Sequence, residues 1–377
     1  MQLEKVMYAR LFSKLQVGGI DLKNRLIMAP TYLGYAGAGG TASPLLLDHY
    51  RLMAASGVAM VVVENATIDH PTASGSERTL RVDTDDCIAG LKQLADAIHQ
   101  EGALACLQIN HAGRFAGTAE PVAPSAVETF GRVPKALKRV ELPGIIAQFA
   151  SAARRVKAAG FDMLELHGGT GYLLAQFLSP RTNRRQDDYG GPLANRQRFP
   201  LEVTAAVQAG VGAFPIGYRF LADEWLPDGL KLEESLLFAK SLAAAGIAYI
   251  SVMGGTYESF FLPHVVERSR QDGYMVDLAA AVRREVPVPV VAAGRIATGG
   301  LAERILRSGE ADLIGLARVL WADPDWVRKV SSGRESDILH CDPGCGDACI
   351  QMVMKKKPAF CTRWPPQKVK EYKARFE

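Results

Sequence analysis

Four of the six cysteines fall within one short stretch, spaced Cys341-x3-Cys345-x3-Cys349-x11-Cys361. Cys345 and Cys349 are one helical turn apart, so both sulfurs can face one centre. In a reducing compartment such a density of thiols reads as metal binding before disulfide formation. Four thiolates suit a [4Fe–4S] cluster or Zn2+, with a metal-free relic as the third reading. Cys87 and Cys106 stand alone and read as inert thiols. A second group could move protons and hold carbonyls or rings: Gln108, Asn110, His111, His167, Thr170, Tyr172, Arg219, Ser251 and Tyr257. It is rich in amide, imidazole, phenol and guanidinium and poor in carboxylates, which gives little support to glycoside hydrolysis by paired acids. Two short phrases, AAGRI around Gly294 and Arg295 and GLARVL around Ala317 and Arg318, each combine small residues with an arginine. Together they suggest a phosphate site built from backbone amides and guanidinium groups.

Elements must position these groups, and one phrase recurs along the chain. A helical pattern leads into small residues ending in Gly and then a β-rich apolar run, at 54–64, 99–109, 157–167, 243–252 and 307–316. Gly57, Gly102, Gly160, Gly246 and Gly309 fit the position just past a helix, where a left-handed backbone makes a Cβ costly. Three further apolar strands are expected at 25–30, 215–220 and 288–293. Between strands lie amphipathic stretches, such as Ile145, Ile146, Phe149, Ala153 and Val156, and Leu232, Leu236, Ala239 and Leu242. Continuous apolar strands alternating with helices imply a parallel sheet covered on its outer face. Eight such units predict an α/β fold, a (β/α)8 TIM barrel over residues 1–332, followed by a cysteine-rich basic extension over 333–377. An open doubly wound sheet competes, but it wants a glycine-rich fingerprint after its first strand, and Met28-Ala29-Pro30-Thr31 has none. A barrel places its chemistry at the C-terminal ends of the strands. The polar groups above fall there, joined by Tyr32 and by Glu64-Asn65.

Composition sets the remaining limits. The 377 residues are 48% hydrophobic and 22% charged, which fits an ordinary globular protein with a sizeable core. The longest apolar runs, at 57–63 and 286–294, are far shorter than the roughly 20 residues of a membrane span. The N-terminus carries charges throughout and lacks the apolar segment of a secretory signal, so a cytoplasmic location is expected. The net charge of +4 hides an asymmetry: Lys355, Lys356, Lys357, Arg363, Lys368, Lys370, Lys373 and Arg375 crowd the last residues. That tail is either a solvated face or a dock for an acidic partner. No aromatic-interleaved groove accompanies it, so nucleic acid is not expected.

HAGRFA at 111–116, PVAPSA at 121–126, GYLLAQFLSPRTNRRQDDYGGPLANRQRF at 171–199 and the AAGRI and GLARVLWADP phrases carry a resemblance. Over about residues 10–332 the chain resembles the Old Yellow Enzyme family of FMN-dependent oxidoreductases. Within it, the sequence is most similar to the iron–sulfur branch that contains 2,4-dienoyl-CoA reductase and trimethylamine dehydrogenase. Members of that branch carry Cys-x2-Cys-x3-Cys-x11-Cys after the barrel. The last three cysteines match, and the first gap is one residue longer here, where Pro343 and Gly344 can loop it out.

The resemblance implies FMN at the barrel mouth. Gln108 would meet the pyrimidine edge of the ring, Arg219 would place a fixed positive charge beside it, and Pro30, Thr31, Tyr32 and Asn65 would line it. Gly294, Arg295, Ala317 and Arg318 would take the phosphate. Tyr172 matches the family's proton donor and His167 the first of two carbonyl-binding positions, the second being Thr170 where relatives carry His or Asn. Tyr32, Tyr35, Trp225, Tyr257, Phe260 and Phe261 would make an aromatic pocket able to hold a planar acyl group or a methylated ammonium. The implied reaction is reduction of an activated C=C bond, with electrons from NAD(P)H or through a [4Fe–4S] cluster. Oxidation of an amine or N-methyl group is the alternative. A non-redox barrel with a zinc-stapled basic tail is the reading from another class. The sequence ends at Glu377, before the further nucleotide-binding domains of larger relatives, so a redox partner protein docking near the tail is expected, with a homo-oligomer also open.

Overall fold

A computed structural model describes residues 8–376. Eight strands close into a parallel barrel: β1 (Leu26–Met28), β2 (Met60–Thr67), β3 (Leu104–Asn110), β4 (Met163–Gly168), β5 (Ile216–Asp223), β6 (Tyr249–Gly254), β7 (Val290–Ala292) and β8 (Leu313–Leu316). Each coincides with a strand expected from the sequence, and the (β/α)8 barrel is the architecture found. The five glycines at the helix-to-strand joints all have positive φ, for example 82° at Gly160 and 81° at Gly246. A hairpin, Leu15–Val17 with Ile20–Leu22, seals the N-terminal end, where Val17 and Leu22 pack against Met60, Cys106, Met163 and Tyr249. Among the described residues no helix is long and apolar enough to cross a membrane.

Helices Pro44–Ala54, Cys87–Gln100, Leu142–Ala158, Arg198–Val211, Leu232–Ala244, Val276–Glu285 and Gly299–Arg307 follow the first seven strands. The eighth position holds two short helices, Arg318–Ala322 and Trp326–Ser331, separated at Asp323-Pro324. A residue before proline is pushed out of the helical region, which accounts for the break. Helix Leu142–Ala158 buries the face expected, with Ile146 at its margin. Helix Leu232–Ala244 is rotated from its expected face: Ser235, Phe238, Ala239 and Leu242 are buried, whereas Leu232 and Leu236 are half-buried. Phe238 explains the rotation, because its ring stacks on Phe220 of β5 at 6.0 Å.

Strand register sets the levels of the barrel interior. Gln108 pairs across to Glu165, Glu165 to Gly217, and Gly217 to Tyr249. Side chains alternate along a strand, so the next level on the same side pairs His167 with Arg219 and Arg219 with Ser251. Gly217 is required where it stands: a Cβ there would lie 2.2 Å from the Tyr249 ring.

The segment after the barrel folds back onto it. Helices Ala348–Met354 and Pro366–Ala374 lie in this tail, and its Ile338, Ala359 and Trp364 are buried in the same core as the barrel. The Ala359 amide donates to the Leu33 carbonyl at 2.9 Å, and the Trp364 indole N–H to the Trp321 carbonyl at 3.1 Å. Four tail cations are engaged within the chain, Arg363 with Asp342 at 3.8 Å among them. Lys368 lies over the Trp364 ring at 4.1 Å, Lys373 over Phe360 at 4.8 Å, and Arg375 pairs with Asp48 at 2.6 Å. Lys355, Lys356, Lys357 and Lys370 are exposed.

Candidate active site

The lower level of the mouth is a buried hydrogen-bonded network. Gln108 donates through Nε2 to one oxygen of Glu165 at 2.7 Å, and the Tyr249 hydroxyl donates to the other at 2.9 Å. Burial pushes the Glu165 carboxyl up, and the Arg219 charge pulls it down. Burial is the larger effect, so the carboxyl stays above its ordinary value although each oxygen has a donor. This contact fixes the Gln108 amide with its nitrogen toward Glu165, leaving its oxygen and second N–H for another partner. Arg219 donates to Ser251 Oγ at 2.7 Å, and burial lowers its pKa while Glu165 raises it. Glu165 was not singled out by the sequence reading. The available signal was a lone carboxylate inside the apolar run MLELHG, two residues before His167 and so on its face.

His167 is buried, and its Nδ1 accepts the Gly169 amide at 3.2 Å. Burial, with help from the Arg219 charge, holds it well below the usual imidazole range. It is therefore neutral, with its proton on Nε2 as a donor. His111 repeats the arrangement, accepting the Gly113 amide at 3.0 Å and held at about 4 by burial. The Tyr172 ring stands edge-on to His167 at 4.8 Å, and its hydroxyl bonds to that of Tyr257 at 2.7 Å. Burial, then the neighbouring Tyr257, pushes Tyr172 well above its ordinary value, so it keeps its proton. Thr170 has a left-handed backbone, φ 59°, and its hydroxyl is directed at the Met253 sulfur at 3.5 Å.

Asn65, Tyr32, Phe115, Tyr172 and Tyr257 line one cleft. Tyr32 is hydrogen-bonded to Ser76 and pushed up to about 12 by burial. Phe115 stands edge-on to Tyr257 at 5.1 Å. Tyr35, expected in this pocket, lies elsewhere. Its hydroxyl donates to the Ala359 carbonyl at 2.6 Å and its ring packs against His49, Tyr372 and Phe376, so it joins barrel to tail. Phe261 is 54% exposed, and Trp225 packs beside Tyr274 and Arg268. The opposite wall, Val353, Met354 and Lys356, comes from the tail and was not anticipated. Its signal was faint: Val353 follows Cys349 by one helical turn.

Pro30 and Thr31 follow β1, and Gly294 with Arg295 follows β7. A Cβ on Gly294, where φ is 100°, would lie 2.9 Å from Met275, so only glycine fits there. Among the described residues the amides of Gly294, Arg295 and Ala317 find no hydrogen-bond acceptor. Bare amides beside small residues fit a phosphate, and Gln108, Arg219 and neutral His167 offer what a flavin ring needs, so this mouth could receive FMN. Arg295 also pairs with Asp272 at 3.0 Å. Arg318 reaches away to the tail, where it bonds Asp347.

There the four tail cysteines, Cys341, Cys345, Cys349 and Cys361, line one cavity with Arg318 and Trp321. Burial raises the thiols of Cys341, Cys361 and Cys349, the last to about 11. Among the described residues no three His, Cys, Asp or Glu side chains gather as a single metal ion would need. Cys87 opens a helix and Cys106 is buried in β3, both away from this cavity.

Comparison with known proteins places this geometry. The NADH oxidase of Thermoanaerobacter brockii is 40% identical over 91% of this chain and 54% of its own length, so the chain spans about half of that relative. The NADPH dehydrogenase of Halalkalibacterium halodurans is 37% identical over 85% of this chain and 94% of its own length. Among solved structures, 2-naphthoyl-CoA reductase in complex with 2-naphthoyl-CoA superposes with a TM-score of 0.90 at 28% identity, covering 95% of this chain and 57% of the other. A family model described as NADH:flavin oxidoreductase / NADH oxidase matches residues 10–337. On that match the chain belongs to the NADH:flavin oxidoreductase / NADH oxidase family, in agreement with its Old Yellow Enzyme motifs.

Proposed function

We propose that this chain is an FMN-dependent oxidoreductase that reduces an activated C=C bond, with a [4Fe–4S] cluster held by Cys341, Cys345, Cys349 and Cys361. The observation that carries the reading is the edge-on contact, at 4.8 Å, of a proton-bearing Tyr172 on the cleft wall with a neutral, donating His167 behind it. Gln108 and Arg219 would hold the flavin ring, with Pro30, Thr31, Tyr32 and Asn65 around it and Gly294, Arg295 and Ala317 at its phosphate end, whereas Arg318, expected there, is turned to Asp347 and the cysteine cavity. When bound, FMN supplies the hydride for the β-carbon, and the cluster supplies single-electron exchange.

The rest is done by the chain. His167 Nε2–H donates to the substrate carbonyl and takes up part of the charge that develops on its oxygen. Thr170 flanks it. Tyr172 gives its proton to the α-carbon, and Tyr257, bonded to the Tyr172 oxygen, holds that oxygen in place and can return a proton to it. The aromatic walls admit a planar unsaturated group. Four thiols line one cavity, and thiolates are the donors an iron–sulfur cluster takes. The longer relatives match 91% and 95% of this chain, against 85% for the NADPH dehydrogenase. The names of the two curated relatives support NADH or NADPH as donor. Exposed Lys355, Lys357 and Lys370 beside the cysteines offer a redox partner protein its place to dock.

Tyr172→Phe tests the mechanism. C=C reduction should fall about 100-fold or more, the ordinary contribution of a positioned acid, while flavin reduction by NAD(P)H is retained. Undiminished C=C reduction at neutral pH would overturn it.

A further inference from the structure

The cleft does not end at its aromatic walls. Ser76 and Lys356 line both the cleft that holds Tyr172 and a second groove leading outward past Arg78, Glu77 and Thr118. Arg81, three residues along from Arg78, is matched with Asp83, but Arg78 and Lys356 have no carboxylate partner among the described residues. Glu77 is the one acidic group on the groove, and Lys355 and Lys357 add positive charge beside it.

Lys356 also stands in an unusual place. Helix Ala348–Met354 closes with the Lys356 amide donating to the Val353 carbonyl at 2.8 Å and the Lys357 amide to the Met352 carbonyl at 2.9 Å. These paired bonds define a helix ending whose left-handed residue is ordinarily glycine. Here that residue is Lys356, with φ 56°. A lysine in this conformation is strained, and an observed strain beside a cleft points to a use for the side chain.

We propose that Arg78 and Lys356 hold an anionic group, a carboxylate or phosphate, carried by the ligand whose reacting end lies beside Tyr172. This rests on the C=C reduction reading and narrows its ligands to those with an anionic arm long enough to leave the cleft. The anion can belong to the unsaturated substrate or to the nicotinamide donor, and the experiment separates them.

The holoprotein is assayed with 4-(3-oxobut-1-enyl)benzoate and with its methyl ester, which share one enone and differ only in the charge at the far end. Wild type should favour the acid in kcat/KM, through KM, by about tenfold at low salt, and the preference should shrink as salt is raised. In Lys356→Gly, where glycine suits the backbone and the fold is kept, the acid-to-ester ratio should drop toward one. Arg78→Gln should do the same. If the ratio is unchanged but the NADH or NADPH concentration for half-maximal flavin reduction rises about tenfold in both variants, the anion is the donor's phosphate. If neither changes, the proposal is wrong. The acid and ester are also titrated against the flavin absorbance of the oxidised protein. A protein that reduces neither enone yet binds the acid more tightly, in a way Lys356→Gly abolishes, would contradict the C=C reading and keep the anion site.

Discussion

Tyr172 and His167 face each other with opposite pKa displacements, the phenol pushed up and the imidazole pushed down, both chiefly by burial. Neither changes charge near neutrality, so C=C reduction should be flat in these groups from about pH 6.5 to 9. A limb in the rate profile with a midpoint near 7 would contradict a neutral His167. The buried histidines have a second consequence. His49 is held at about 3 and His111 at about 4, both by burial, while an unfolded imidazole titrates near 6.5. The unfolded chain then binds protons that the folded chain refuses, so stability is full above about pH 6.5 and lost as pH falls. At pH 5 the loss is about 2 kcal/mol for each of the two, and thermal unfolding measured from pH 7 to 5 should show a steep drop in Tm. Glu165 carries a third prediction. Glu165→Gln leaves one acceptor where Gln108 and Tyr249 need two, and the purified variant should retain less FMN, measured by flavin absorbance per chain. His167, Tyr172 and Gln108 were legible in the sequence because strand ends announce themselves. Glu165 was hidden by its apolar neighbours, and Tyr35 was misplaced because only the packing of Tyr372 and Phe376 decides which way that ring turns.

At the scale of elements, the joint glycines made the strands legible: each marks a left-handed turn that other residues adopt only under strain. Thr170 is the counterexample, a β-branched residue at φ 59° in the loop after β4. Thr170→Asn should stabilise the protein by about 1 kcal/mol, read from the denaturant midpoint, because Asn tolerates this conformation. An unchanged or lower midpoint would show that the Met253 contact outweighs the backbone strain. The periodicity of helix Leu232–Ala244 gave the existence of an apolar face but not its centre, since a stacked Phe220–Phe238 pair outweighs a leucine at the margin. The divided eighth helix was readable in principle at Asp323-Pro324.

Taken whole, the molecule is a barrel whose open end is completed by its own tail. The same segment carries the four cysteines and lends Val353 and Met354 to the cleft, so the two sites share a helix. The cysteine spacing was plain in the sequence, but the docking was not, because Ala359 and Trp364 sit in a basic, proline-containing stretch with no periodic face. Trp364 anchors it. Trp364→Ala should cost about 3–5 kcal/mol of tail packing, and limited proteolysis should then release the tail and leave the barrel intact. One chain proposed to hold both a flavin and a four-iron centre has a plain signature in the visible spectrum of anaerobically purified protein, with iron and acid-labile sulfide assayed on the same sample. Flavin bands over a broad iron–sulfur absorbance and roughly four irons per chain are expected. A colourless protein, or flavin with iron well below one per chain, would contradict the proposal.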